Sequence, residues 1–232
     1  MQIQKLKSSK LFYNKWPYKI ECSINGASRL SYLGASATRD FCLGKSSTYI
    51  PSWMPKTKVS LEEKKDLLEF TSCIEPFLQL KGELQTRAEG RRFNIYCKDR
   101  VLLDNIYAAI EQWAVGVHGP TTEEELKFML SNGHKKILRD TLPKDGYQYR
   151  IYLKTSWDAG KRIAFLNWAD KFSETIIIAD GTRDWFKNNK RWVYNPFIYV
   201  KDEKTLTMVG LFTSGHVKKV EEFILRENLV PA

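Results

Sequence analysis

The sequence predicts an α+β chain built from two tandem β-α-β-β-α-β units with antiparallel sheets, over residues 1–144 and 145–232. Three observations predict it. The stretches FNIYCKDRVLL (93–103) and FIYVKDEKTL (197–206) share the phrase Ile-Tyr-x-Lys-Asp-x-x-x-Leu. The stretches LKFMLSNGHKKILRDTL and VGLFTSGHVKKVEEFIL each run from a helical pattern through Gly and His into an alternating apolar segment. Finally, 43% hydrophobic and 13% aromatic content give a chain of 232 residues enough apolar material to pack cores.

In the first unit, WPYKIECSI (16–24) alternates as a strand. A basic connection over 25–59, rich in Gly, Ser and Thr, separates it from the helix 61–78, which Ser60 and Glu63 open as a capping box. Strands over 83–88 and 91–97 form a hairpin around Glu89-Gly90, and Asp99 caps a helix over 100–114 because its carboxylate accepts first-turn N–H groups. An inserted helix over 121–132, started by Thr122 and Glu125, precedes a closing strand at 135–142.

In the second unit, YQYRIYLK (147–154) is a strand and 158–172 a helix with Ile163, Leu166 and Ala169 on one face. ETIIIA (174–179) is the next strand, followed by a loop that carries Trp185 and Trp192. PFIYVK (196–201), a helix over 203–213 capped by Asp202 and a strand over 217–225 complete it. Gly133 and Gly215 suit the left-handed position that ends a helix.

Net charge is +10 and uneven: residues 1–58 carry +8, 59–146 carry −2 and 147–232 carry +4. Such an excess fits a polyanionic partner, since neutralising phosphates releases counterions. No membrane partner is expected, because the positive charge lies on no amphipathic helix and no run approaches a spanning length. The N-terminus lacks the apolar stretch of a signal peptide, and Cys22, Cys42, Cys73 and Cys97 form no C-x-x-C pair. A cytoplasmic protein with reduced thiols is expected, in a host cytoplasm if the chain is viral.

The β-α-β-β-α-β order is ferredoxin-like, and such a sheet has one face under helices and one open. In the second unit, IYLKTS (151–156) and PFIYVK (196–201) resemble the two short motifs of RNA-recognition-motif domains. That resemblance implies Tyr152, Phe197 and Tyr199 as residues that stack single-stranded bases. Tyr149, Arg150, Lys154 and Lys201 join them on the same strands, the cations to hold phosphates. The first unit matches less well, with Phe93 and Tyr96 on opposite faces. Trp185, Arg191 and Trp192 form a basic aromatic loop suited to stacking or to capping the core. Trp16 lies in the aromatic and basic stretch KLFYNKWPYKI, and Arg29 and Arg39 lie in the long connection, which is either a strand-threading loop or a surface insertion.

Few signatures of chemistry are present. The chain has no P-loop, nucleophile-elbow or zincin pattern, and no cofactor is expected. Tandem ferredoxin-like units in a small basic protein also resemble the CRISPR-repeat-processing endoribonucleases, which cleave without metal. That resemblance implies His134 or His216 as general acid or base, with Lys135, Lys136, Lys218 or Lys219 stabilising charge. The family's glycine-rich loop is missing here. The leading expectation is therefore a protein that binds single-stranded RNA or DNA in phage or viral replication or RNA handling. A metal-independent endoribonuclease and a genome-coating structural protein are the alternatives.

Overall fold

A computed structural model describes residues 4–45, 59–188 and 193–229. The chain is mixed α and β, with two five-stranded sheets, and divides into two compact units, Met1–Leu126 and Lys127–Ala232.

The first unit holds β1 (Gln4–Lys7), β2 (Tyr18–Ser23), α1 (Ala27–Cys42), α2 (Leu61–Leu78), β3 (Leu84–Glu89), β4 (Arg92–Cys97), α3 (Arg100–Ile110) and β5 (Ala114–Gly119). Helix α4 (Glu123–Asn132) spans the division. The second unit continues with β6 (Lys136–Arg139), β7 (Tyr149–Leu153), α5 (Ala159–Ala169), β8 (Ile176–Ile178), α6 (Asp180–Lys187), β9 (Phe197–Val200), α7 (Glu203–Thr213) and β10 (Val217–Leu225). The sheets run β1-β5-β2-β4-β3 and β6-β10-β7-β9-β8. Each therefore has the same order, with an additional edge strand beside its closing strand.

Those edge strands correct two expectations. Both sheets are mixed rather than antiparallel, because β1 pairs parallel to β5 and β6 parallel to β10. The strand expected to close the first unit at 135–142 is β6, an edge strand of the second sheet; β5 closes the first. The division consequently falls after residue 126 instead of 144. Segment 114–119, AVGVHG, escaped the sequence reading because two glycines break its apolar alternation and it follows helix α3 with only one 3-10 turn between. The second echo is likewise no repeat of units. Its two copies are α4 into β6 and α7 into β10, and those strands are neighbours in one sheet.

The first echo does mark equivalent places, β4 into α3 and β9 into α7. Asp99 Oδ1 accepts Leu102 N–H at 2.7 Å, and Asp202 Oδ1 accepts Thr205 N–H at 2.8 Å. Ser60 and Glu63 form the expected capping box. Gly133 and Gly215 have φ of 56° and 77°, a backbone that side chains with a Cβ disfavour.

Two expected loops contain helices. Connection 25–59 holds α1, broken at Gly34, and the loop after β8 holds α6, which turns Trp185 and Phe186 into the core. Ile163 is 46% exposed, whereas Phe165, Leu166 and Ala169 are buried, so α5 packs on a face rotated from the expected one. The first core joins Ile20, Phe70, Phe93, Ile95 and Ile106; the second joins Ile151, Phe165, Phe186, Ile198 and Val209. Among the described residues no helix is long and apolar enough to cross a membrane.

Candidate nucleic-acid interface

Successive side chains of a strand point to opposite faces. In β7, Tyr149, Ile151 and Leu153 enter the helix-covered core, and in β9 Ile198 and Val200 do the same. Arg150 and Tyr152, with Phe197 and Tyr199 opposite them in register, take the other face and remain partly exposed. Tyr149 was expected among the binding residues; it is core, because it shares the parity of Ile151.

The rings on this face touch in a row. Tyr152 and Phe197 have centroids 5.8 Å apart, Phe197 and Tyr199 meet edge-to-face at 5.4 Å, and Tyr199 lies 6.3 Å from Phe223. The Arg150 guanidinium sits 5.1 Å from the Tyr152 ring, 5.7 Å from Phe197 and 5.5 Å from Phe223, within cation–π range of all three. The Glu221 carboxylate, 1% exposed, holds both Arg150 and Lys219. Burial opposes the positive charge of Arg150, yet the Glu221 hydrogen bond and charge raise its pKa overall. Burial raises the pKa of the Tyr152 hydroxyl. Lys154 and Lys201 are exposed just beyond opposite ends of the ring row, since β7 and β9 run antiparallel.

Glu221, Phe223 and Lys219 complete this face and were not expected there. Their spacing of two in VKKVEEFIL was the available signal, obscured because the charged pairs Lys218-Lys219 and Glu221-Glu222 fall on both faces.

The equivalent face of the first unit is covered. Residues 8–17, between β1 and β2, lie across it: Phe12 is 5.6 Å from Tyr96, Tyr13 is 5.0 Å from Tyr96, and Trp16 is 1% exposed with Nε1 donating to Gln85 Oε1 at 3.0 Å. Beneath them Lys19 donates to Glu21 at 2.9 Å, and His118 Nε2 is 3.4 Å from Glu21. Phe93 is in the core and Tyr96 on the covered face, the opposition the sequence predicts.

Several expected binding residues therefore serve the fold. Trp16 seals the first sheet, and Trp185 is 3% exposed, stacked over by Arg162 at 4.8 Å. Arg29 is 4% exposed, its guanidinium 3.9 Å from the Phe41 ring, because α1 turns inward where a loop was expected. Arg39 pairs with Glu75. Arg191 and Trp192 lie outside the described residues.

His216 stacks on Trp157 at 5.2 Å and 14°. His134 lies in the turn between α4 and β6, two residues before β6 begins. Among the described residues no group of three or more His, Cys, Asp or Glu is placed to hold a metal ion. Comparison with protein-family models, with curated proteins and with solved structures finds no match.

Proposed function

We propose that each unit is a ferredoxin-like module carrying an extra parallel edge strand, and that the second unit binds single-stranded nucleic acid on its open face. The observation that carries this reading is the contiguous, partly exposed row Tyr152-Phe197-Tyr199 with Arg150 among the rings and lysines at both ends. Flat aromatic faces stack any base, and flanking cations meet phosphates. The net charge of +10 favours the same class of partner. Cleavage at His216 has less support, since Trp157 occupies one face of its ring.

The test is fluorescence anisotropy with labelled single-stranded RNA and DNA over a salt series. Base stacking on one ring is worth about 1–3 kcal/mol, so Tyr152→Ala and Phe197→Ala are each expected to weaken binding roughly 5- to 150-fold. Folded variants that bind as well as the parent, or a parent that binds neither strand at low salt, would sink the proposal.

A further inference from the structure

One residue beyond the Tyr152–Phe197 ring pair, the loop from β7 into α5 and the start of β9 enclose a cleft of about 310 Å³. Lys154, Thr155, Ser156, Asn195 and Lys218 line it. Leu153 N–H donates to Pro196 O at 2.8 Å, which joins the two walls. Asn195 adopts a left-handed backbone, φ 51°, and its Oδ1 accepts Lys218 Nζ at 2.8 Å. Lys154 Nζ donates to Gly215 O, also at 2.8 Å.

The partners of these two lysines decide the chemistry. Both are neutral oxygens, and among the described residues neither ammonium has a carboxylate within ion-pair distance. Several other cations of this unit do have carboxylate partners: Arg150 and Lys219 with Glu221, Lys136 with Glu222, Arg183 with Asp170. The acid nearest Lys154 in sequence, Asp158, is turned to the Gly160 and Lys161 amides at 2.9 and 3.1 Å, and the one nearest Lys218, Glu221, is held by Arg150 and Lys219. Two uncompensated ammonium groups, two exposed hydroxyls and an amide around one cleft suit a compact anion with several acceptor oxygens.

We propose that this cleft holds a phosphate group of the strand that stacks on Tyr152 and Phe197, with Lys154 and Lys218 as its cations and Thr155 and Ser156 as hydroxyl donors. The inference rests on the stacking function proposed above, which it deepens by placing the phosphate at the Lys154 end of the ring row. The phosphate comes either from within the strand or from a phosphorylated terminus.

The experiment compares the full chain with the double variant Lys154→Gln/Lys218→Gln. Its probes are a 5′-hydroxyl, a 5′-phosphorylated and a 3′-phosphorylated oligonucleotide of one sequence, each over a salt series. The double variant is expected to bind about tenfold more weakly, the scale of one lost charge-assisted contact, with a log–log salt slope shallower by about 0.7. A loss shared by all three oligonucleotides assigns an internal phosphate, and a loss confined to one phosphorylated end assigns that terminus. A folded double variant with unchanged affinity and slope overturns the proposal. Inorganic phosphate separates this failure from that of stacking: the Thr155, Ser156 and Asn195 amide resonances are expected to shift in the parent and not in the double variant. If no oligonucleotide binds the parent, stacking fails, and the presence or absence of those shifts still decides the cleft.

Discussion

Arg150 and Glu221 face each other across β7 and β10, with Arg150 Nε donating to Glu221 Oε2 at 2.8 Å. The carboxylate is 1% exposed, while Arg150 and its fellow partner Lys219 are 22% and 29% exposed. The two ends of the pair therefore respond unequally to deletion. Arg150→Ala leaves a buried carboxylate with less compensation and is expected to cost about 3 kcal/mol, whereas Glu221→Ala leaves cations that reach water and costs about 1–2 kcal/mol. Urea unfolding of both variants checks the order; a larger loss for Glu221→Ala would contradict it.

The paired caps Asp99 and Asp202 each satisfy a first-turn amide. Asp99→Ala and Asp202→Ala are expected to destabilise their units by about 1 kcal/mol each, and the Asn replacements by only a few tenths. Native-state hydrogen exchange should show each loss in its own helix, α3 or α7.

Trp16, in the segment that covers the first sheet, is 1% exposed. Trp16→Ala is expected to cost about 3–5 kcal/mol, through the cavity and the lost indole bond to Gln85. Trp16→Phe keeps most of the packing, so thermal unfolding should place it between the parent and Trp16→Ala.

His118 carries a pH dependence. Burial, with help from the Lys19 charge, lowers its pKa from 6.5 against the pull of Glu21. A depressed histidine binds fewer protons folded than unfolded, so its contribution is present above 6.5 and is lost as pH falls below that value toward the folded pKa. His118→Gln removes this component. The stability difference between parent and variant is expected to shrink between neutral pH and pH 5 (the range just below the ordinary histidine pKa); a difference that grows on acidification would refute the assignment.

Cys22 and Cys97 are buried thiols, each pushed up to about 12 by burial. Half-buried Cys42 and Cys73 are expected to react with a thiol reagent in the folded chain, and Cys22 and Cys97 only on unfolding.

Local chemistry alone specified much of this protein. Asp99, Asp202 and Ser60 accept amides three residues on, Glu63 accepts the Ser60 amide three residues back, and Gly133 and Gly215 end helices through their own backbone, so neighbours in sequence sufficed. Alternation likewise put Tyr152 with Arg150, and Phe197 with Tyr199, on common faces. What sequence spacing could not decide is which face the helices cover, or which strand an edge segment joins. Those outcomes depend on residues distant in the chain: β6 alternates as a strand, yet nothing local says that it pairs with β10 instead of closing the first sheet, and β1 shows its place only beside the β5 backbone. Tyr149, Trp16 and Trp185 carry the same ring chemistry as the open face, yet burial by tertiary packing removes them from it. Only the folded arrangement covered the first sheet's rings and left Tyr152, Phe197 and Tyr199 of the second partly exposed, because covering a face requires a connecting segment apolar enough to lie on it.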